Sequence, residues 1–467
     1  MFQEILKDIV TATEFKEGDM LSPINKLYFS KPISKDNFHA INLTNFSSLS
    51  SPSSTHSSSS DLSSSSSPSS SISDLSSSSS PHSSSSDFSS SSFPPSSFSD
   101  LSSSSSPSYL VSTSPSSKLC FIDGGSAEII KAPNLSMFFI RAYAHITLNN
   151  KTIKDKKIEF YCIFKTKIKE EKIFYEVNFI TNSNDTNANN INTNNTDIDN
   201  TNNNDTNNTD KYNTNNTYIH NTNYKEYAKY LPDKEDLELF SYDTTIVSGE
   251  NRAEISKLGD VVRRFAELRL AKLMTETELT CNDIIILDGN LRATYTNEEK
   301  YLNALYYAAL KNNIIITAFC KTSNLLTEKG SNIVSVLNHV AELNNIKGCW
   351  FYHPIVEIKD EKHRAEMMFV KLNPLSEYIF RYEIYAQQFK LSSINEILSI
   401  LALNSVDYSF PGYPYGLIKA DTMARVSNKE CEFLKTKILF SLESSHNFKD
   451  LRKSMNALNA HNILDRK

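Results

Sequence analysis

The sequence lacks the glycine-rich loops that mark many nucleotide-binding enzymes. It contains no G-x-x-x-x-G-K-[ST] segment and no G-x-G-x-x-G segment, and only 10 of its 467 residues are glycine. Such loops let backbone amides approach a phosphate closely. We therefore expect neither a P-loop ATPase nor a Rossmann dehydrogenase. A G-x-S-x-G elbow is also absent, so a serine hydrolase is unsupported.

Cysteine pairs and long apolar runs are missing as well. The six cysteines are far apart and form no C-x-x-C pair, which indicates reduced thiols and not a disulfide or zinc framework. No apolar run approaches the roughly 18–20 residues that span a membrane. Residues 1–15 mix acids, bases and apolar residues and carry no apolar signal core. We expect a cytoplasmic protein without a membrane segment.

Two segments of biased composition depress the hydrophobic content to 39%. Ser47–Ser117 is almost pure serine, and Asn182–Tyr224 is mostly Asn and Thr. Without them, roughly 46% of the remaining residues are apolar, which is ordinary for a globular chain. Each tract has a net charge of −4, so the remainder carries −6 − (−8) = +2. A mildly basic remainder excludes an acidic globule but does not establish a nucleic-acid binder.

Both tracts are predicted to be disordered inserts, because they contain too few apolar residues to offset chain entropy. Asp-Leu or Asp-Phe recurs every 13 residues in the serine tract, at 61, 74, 87 and 100, a unit too polar for a solenoid. We therefore divide the chain into an N-terminal segment 1–46, inserts 47–117 and 182–224, a folded domain in two parts, 118–181 and 225–430, and a C-terminal helical segment 431–467.

Hydrophobic periodicity predicts a mixed α/β domain with a central sheet. Antiparallel strands come first, and helices and strands then alternate. The predicted strands are 118–130, 137–148, 157–166, 172–180, 283–288, 313–320, 365–372 and 377–385. The predicted helices are 251–278, 298–311, 331–343 and a helical region from about 391, interrupted at 411–414.

Two apolar strands end in Asp-Gly, at Asp123 and at Asp288. Carboxylates held at the ends of neighbouring strands could converge on one Mg²⁺ or Mn²⁺. Asp-Gly is also a common turn signal, so both interpretations stay open. Glu267, in the preceding helix, could add a third carboxylate, and the alternatives for that position are Glu254, Glu276 and Glu278.

An ordered set of segments resembles the NurA nuclease family of archaea and some bacteria. The segments are FIDGGS, RRFAEL, IIILDGNL, ITAFCKTSNLL, MFVKL followed by FRYEI, and GYPYGLIKAD. They cover roughly 119–426, excluding the Asn/Thr-rich insert. The resemblance implies an RNase H-like core, a homodimer and Mn²⁺-dependent DNA cleavage, with Mg²⁺ as the alternative metal. It also implies a role in end resection at double-strand breaks with a hexameric HerA-type ATPase, by 5′-to-3′ exonuclease and single-strand endonuclease activity.

Carried over residue by residue, the resemblance assigns Asp123, Glu267, Asp288 and Lys321 as catalytic residues. The two aspartates and Glu267 would bind metal, and Lys321 would contact a phosphate oxygen as a point charge. Some family members have a histidine where this chain has Asp421. A carboxylate there can still bind a hard cation but cannot act as a neutral imidazole. We therefore include Asp421 among the expected metal ligands.

Several further assignments have weaker support. Arg263 and Arg264, with Arg269 on the same helix, could contact DNA phosphates together with Lys321, although helical charges are more often only solvated. His353 lies among aromatic residues and is better interpreted as a packed histidine. Two alternatives remain: a non-catalytic DNA-binding or scaffold subunit of the same fold, and another RNase H-like enzyme such as an RNase or a guided nuclease.

Overall fold

The computed structural model describes residues 28–30, 32–43, 117–180, 228–443 and 448–464. The two predicted inserts lie outside these ranges apart from residue 117, so their disorder and the segment boundaries remain predictions. All the described residues belong to one unit of the chain, which comprises 1–47 and 116–467.

Thirteen strands and seven α-helices are found in the described residues. The strands are β1 (Tyr28–Ser30), β2 (Phe38–Ala40), β3 (Leu119–Ala132), β4 (Leu135–Leu148), β5 (Lys151–Lys169), β6 (Lys172–Ile180), β7 (Leu239–Phe240), β8 (Ile284–Asp288), β9 (Ile315–Cys320), β10 (Trp350–Tyr352), β11 (Val356–Ile358), β12 (Ala365–Lys371) and β13 (Phe380–Tyr385). The helices are α1 (Leu258–Thr277), α2 (Glu298–Asn312), α3 (Ile333–Leu343), α4 (Leu391–Leu403), α5 (Tyr415–Ala424), α6 (Asn428–Leu442) and α7 (Phe448–Leu464).

Eleven of these strands form one mixed sheet, in the order β2-β10-β12-β13-β9-β8-β3-β4-β5-β6-β7. Strands β3 to β6 form an antiparallel meander, whereas β8 pairs in parallel with β3 on one side and with β9 on the other. The predicted mixed α/β fold with a central sheet is therefore confirmed. Among the described helices, none is both long and apolar enough to cross a membrane.

Helices cover both faces of the sheet. Because successive side chains of a strand point to opposite faces, each strand contributes to separate cores. Apolar residues of α1 and α2 pack with β4 and β5 in the largest core, while α4 and α5 pack on a second core. On β12, Met368 and Val370 belong to this second core, and Met367 and Phe369 pack against α3. A strand covered on both faces reads as continuously apolar, as β12 does.

The predicted long strands and helices are present, but the sequence pattern did not predict the short strands. β1, β2, β7, β10 and β11 have two or three residues each, too few for alternation to register. β5 begins six residues earlier than predicted because the lysine-rich start, Lys151–Lys157, continues the hairpin from β4. Its charged side chains stay exposed while the backbone completes the ladder.

Candidate metal centre

Three neighbouring parallel strands in the middle of the sheet bring three predicted site residues together. Asp288 is the last residue of β8 and Lys321 directly follows β9, whereas Asp123 lies inside β3, so the prediction that this strand ends at Asp123 is wrong. Asp123 and Asp288 directly follow the paired residues Ile122 and Leu287, and Lys321 lies two residues beyond Phe319, the partner of Asp288. Asp123 is buried, at 7% exposure, although it is an ionisable residue.

Helix α5 adds a third carboxylate, Asp421, by lying directly on β3. Added Cβ atoms show how close this contact is: one on Gly416 would lie 2.1 Å from the Phe121 ring, and one on Gly125 would lie 2.1 Å from the carbonyl oxygen of Ala424. Glycine is therefore needed at both positions for close approach. Ligand oxygens of Asp123, Asp288 and Asp421 all lie within 4.8 Å of one another, and we call these three residues the carboxylate group.

The positive charge of Lys321 partly neutralises the carboxylate group. Its Nζ lies 2.7 Å from Oδ2 of Asp288 and donates to Oδ1 of Asp421 at 2.7 Å. Arg425, which directly follows α5, also bonds the Asp421 carboxylate. Burial would lower the pKa of Lys321, but the charge of Asp288 and the hydrogen bonds to both aspartates outweigh it and raise that pKa. The lysine therefore stays cationic near neutral pH.

Crowded negative charge dominates the electrostatics at Asp123. Burial first, and then the charges of Asp288 and Glu267, raise the pKa of Asp123 to about 8, against the opposing Gly124 amide and Lys321. Burial also disfavours charge on Asp421, yet Lys321 and Arg425 lower its pKa overall. Such a site gains from a bound cation, and three carboxylates are the hard oxygen donors that Mg²⁺ and Mn²⁺ prefer. The residues present therefore fit a divalent metal ion.

Glu267 reaches the same region from α1 but lies outside the carboxylate group. It is 3% exposed, and an added Cβ on Gly124, next to Asp123, would meet its Oε1 at 2.5 Å. Its carboxylate is bound by Arg263 at 2.5 Å and lies 3.5 Å from Arg264. Glu267 is thus a neighbour of Asp123 that two arginines already hold.

The alternative glutamates lie elsewhere. Glu254 is 74% exposed and pairs with Lys131. Glu276 bonds Lys272 along the helix, and Glu278 bonds Lys154 on β5. Of the four glutamates considered, Glu267 is the one whose charge acts on Asp123.

The three arginines of α1 differ in burial and in the hydrogen bonds that they make within the protein. Arg264 is 9% exposed and donates to Glu298 at 2.7 Å and to the carbonyl of Asn290 at 2.8 Å, which ties α1 to the loop after β8. Its guanidinium is committed inside the protein and not free for DNA. Arg269 bonds Asp233. Arg263, with a 30% exposed side chain, is the most accessible of the three.

His353 packs as the sequence suggested. Its ring lies 4.8 Å from the Phe389 ring, and its Nε2 is 3.3 Å from Glu366. It is not a member of the carboxylate group.

Sequence reasoning missed two features of the site. Tyr413, inside the quoted GYPYG segment, has its ring 5.9 Å from Lys321 Nζ, and burial and the nearby carboxylates raise its pKa. Buried Glu383 accepts from the Leu291 amide at 2.8 Å and contacts His363 at 2.9 Å and Arg381, so it holds the loop that follows Asp288. Both residues lie inside segments quoted for the resemblance, Tyr413 in GYPYG and Glu383 in FRYEI, but neither was given a role.

The fold and the carboxylate group together define a mixed α/β protein with a site suited to a divalent cation. The NurA domain family model matches residues 117–426, which is 310 of 467 residues. The chain belongs to the NurA domain family.

Two solved structures resemble the fold distantly. The crystal structure of the NurA nuclease from Sulfolobus solfataricus is 13% identical, with 70% of this chain and 85% of that chain covered, at a TM-score of 0.37. The A. aeolicus Argonaute structure is 8% identical, with 66% of this chain and 28% of that chain covered, at a TM-score of 0.27. Comparison with curated proteins gives no match. The family assignment therefore rests on the family model.

Proposed function

We propose that the protein is a metal-dependent DNA nuclease that hydrolyses phosphodiester bonds. The observation that carries this proposal is the carboxylate group, in which oxygens of Asp123, Asp288 and Asp421 lie within 4.8 Å of one another beside Lys321. Membership of the NurA domain family supports it. The match to the Sulfolobus NurA nuclease is too distant to add weight.

Each residue of the site has a task in this reaction. Asp123, Asp288 and Asp421 would hold the metal. Glu267, a neighbour of Asp123, would be a further ligand. A divalent metal supplies an activated water and neutralises charge on the attacked phosphate. Lys321 would bind a phosphate oxygen through its ammonium, since a bound divalent cation would balance the charge of the two aspartates that it contacts. The buried setting of Asp123 keeps bulk water away and strengthens each of these contacts.

The finer parts of the proposal rest on the family resemblance. We propose an RNase H-like core, Mn²⁺ as the preferred metal, and a homodimer that works with a hexameric HerA-type ATPase in DNA end resection. We further propose 5′-to-3′ exonuclease and single-strand endonuclease activity. Arg263 and Lys321 remain proposed phosphate contacts, while the committed hydrogen bonds of Arg264 argue for a structural role.

The decisive test uses end-labelled linear DNA with purified protein and titrations of Mn²⁺, Mg²⁺ and EDTA. We expect cleavage that needs metal and that Asp288→Ala abolishes. The matched control is Asp450→Ala, since Asp450 is an 80% exposed aspartate on α7. Intact DNA with preserved binding would instead support the non-catalytic alternative, and preference for RNA or hybrid substrates would support another RNase H-like enzyme.

The partner needs a separate experiment. Tagged protein should co-purify with a HerA-type ATPase from its own cell at low salt with DNA present. Recovery of the nuclease alone under those conditions would contradict the partnership without affecting the nuclease assignment.

A further inference from the structure

Three aromatic side chains form a continuous path from the carboxylate group to the surface, which we call the aromatic ladder (Tyr378, Phe410 and Tyr413). The Tyr413 ring stacks on Phe410 at 5.0 Å between centroids, and Phe410 meets Tyr378 edge-on at 5.1 Å. Tyr413 is 1% exposed, Phe410 is half-buried and Tyr378 is 54% exposed. At the inner end, Lys321 Nζ lies 5.9 Å from the Tyr413 ring.

The loops that carry the ladder are fastened to one another. Asn373, in the loop before β13, donates to the carbonyl of Ser405 at 3.3 Å. Gly412 has a φ of +86°, and an added Cβ there would lie 2.9 Å from Ser376 Oγ. That same oxygen accepts from the Tyr378 amide at 3.0 Å. The outermost ring is therefore held in place before any ligand arrives, which reduces the entropy lost on binding.

We propose that the aromatic ladder is a base-stacking subsite for single-stranded DNA, with an unpaired base on Tyr378 and a phosphate further along the same strand at Lys321. This inference rests on the proposed nuclease function. Aromatic rings beside a cationic side chain are the combination that binds single strands without sequence preference, because every base has a π-face. Interior bases of a duplex are stacked on both faces, so a duplex has a free face for Tyr378 only at its terminal base pairs.

A second copy of this chain is the competing occupant of the exposed rings. Tyr408, two residues before Phe410, is 97% exposed and would be buried in a dimer of that kind. The ladder, however, does not end as a surface patch. It continues through Phe410 to Tyr413 and Lys321, so it leads to the residues proposed to hold the phosphate, which favours nucleic acid.

The test measures binding in full-length protein carrying Asp288→Ala, so that cleavage does not intervene. The probe is a single-stranded oligonucleotide with one 2-aminopurine, whose fluorescence falls when it stacks, alongside a blunt duplex of the same sequence. Tyr378→Ala should weaken single-strand binding by about 5- to 100-fold and abolish the quenching. Tyr378→Phe should retain both, and duplex binding should change little.

The matched control is Tyr307→Ala, because Tyr307 is a 73% exposed tyrosine on α2. Equal affinities for Tyr378→Ala and Tyr307→Ala would overturn the subsite, as would a change of oligomeric mass in Tyr378→Ala without loss of binding. If the chain with Asp288 intact cleaves no DNA while Tyr378→Ala still abolishes the quenching, the nuclease proposal fails and the subsite stands. If Tyr378→Ala, with Asp288 intact, cleaves single strands normally, the nuclease proposal stands and the subsite fails.

Discussion

At the scale of single residues, Lys321 is proposed to make two interactions, one with the aspartates and one with a phosphate, that compete unless a metal is bound. It neutralises Asp288 and Asp421 through contacts of 2.7 Å, yet the proposed reaction needs it on a phosphate. A divalent ion that displaces it from the carboxylates would release it for substrate. This exchange explains why a lysine can lie among ligands without blocking them.

Lys321→Met should therefore impair turnover more than metal binding. We expect cleavage to fall by about 10²- to 10³-fold, the usual cost of removing one donor that stabilises developing charge. Mn²⁺ affinity should stay equal or rise, because a competing cation is gone. Single-turnover cleavage and a Mn²⁺ titration followed by electron paramagnetic resonance measure the two effects. A variant that loses metal binding but cleaves normally at saturating metal would contradict this role.

Glu383 stabilises the site through its ionised form. Burial would raise its pKa, but Arg381, the His363 hydrogen bond and the Leu291 amide lower the pKa of Glu383 to about 2. An acid whose pKa is depressed on folding contributes stability above its unfolded value near pH 4.5, and that contribution is lost as pH falls toward 2.

Glu383→Gln should accordingly lower the free energy of unfolding by about 3–5 kcal/mol near neutral pH, because the ion pair of Arg381 would lose its fully buried carboxylate. The difference from the unmodified chain should shrink between pH 4.5 and the lowest pH at which the protein still folds. Urea denaturation at several pH values gives the answer. A difference that does not depend on pH would rule out the charge as the cause.

At the scale of elements, the site depends on how closely two helices approach β3. α5 approaches at Gly125 and α1 approaches at Gly124, but the obstacles differ. An added Cβ on Gly124 would meet the side chain of Glu267 at 2.5 Å, whereas on Gly125 it would meet the backbone carbonyl of Ala424 at 2.1 Å. A side chain can rotate away, while backbone moves only with its helix.

We therefore expect Gly125→Ala to be more harmful than Gly124→Ala. Overpacking of this kind costs about 1–3 kcal/mol. In Gly125→Ala the displaced helix carries Asp421 with it, so Mn²⁺ affinity should fall together with stability. Thermal unfolding and metal titration of the two neighbouring variants provide matched controls for each other. Equal effects of both changes would show that α5 can shift freely.

At the scale of the whole molecule, the Asn/Thr-rich tract joins two elements that are already adjacent. β6 ends at Ile180, and β7 pairs with β6 at the edge of the sheet. Within the connection between these strands, the stretch 181–227 has 47 residues, and deletion of 186–216 removes 31, which leaves 47 − 31 = 16.

Such a deletion should leave the fold and cleavage unchanged and raise the free energy of unfolding by about 1 kcal/mol, because a shorter loop costs less entropy to close. Thermal unfolding and the linear DNA assay on the shortened chain test this. Loss of cleavage with intact folding would contradict this prediction and assign the tract a function.

Apolar periodicity was enough to predict the longer strands and the helices, because it indicates which faces are buried over five or more residues. The sequence also placed Asp123 and Asp288 at strand positions, and its ordered motifs pointed to the family that the match over residues 117–426 establishes. Lys321 and Asp421 were identifiable only through that resemblance. Short strands such as β10 could not be predicted from the sequence, since three residues show no period.

Only the tertiary structure decided which carboxylates meet. Asp421 is 298 residues from Asp123 in the chain, and its approach depends on the contact between Gly125 and Ala424. The same packing put Glu267 under two arginines and committed Arg264 to Glu298 inside the protein. Charge alone cannot distinguish a ligand from a structural ion pair, because the partner that decides the role comes from another element of the fold.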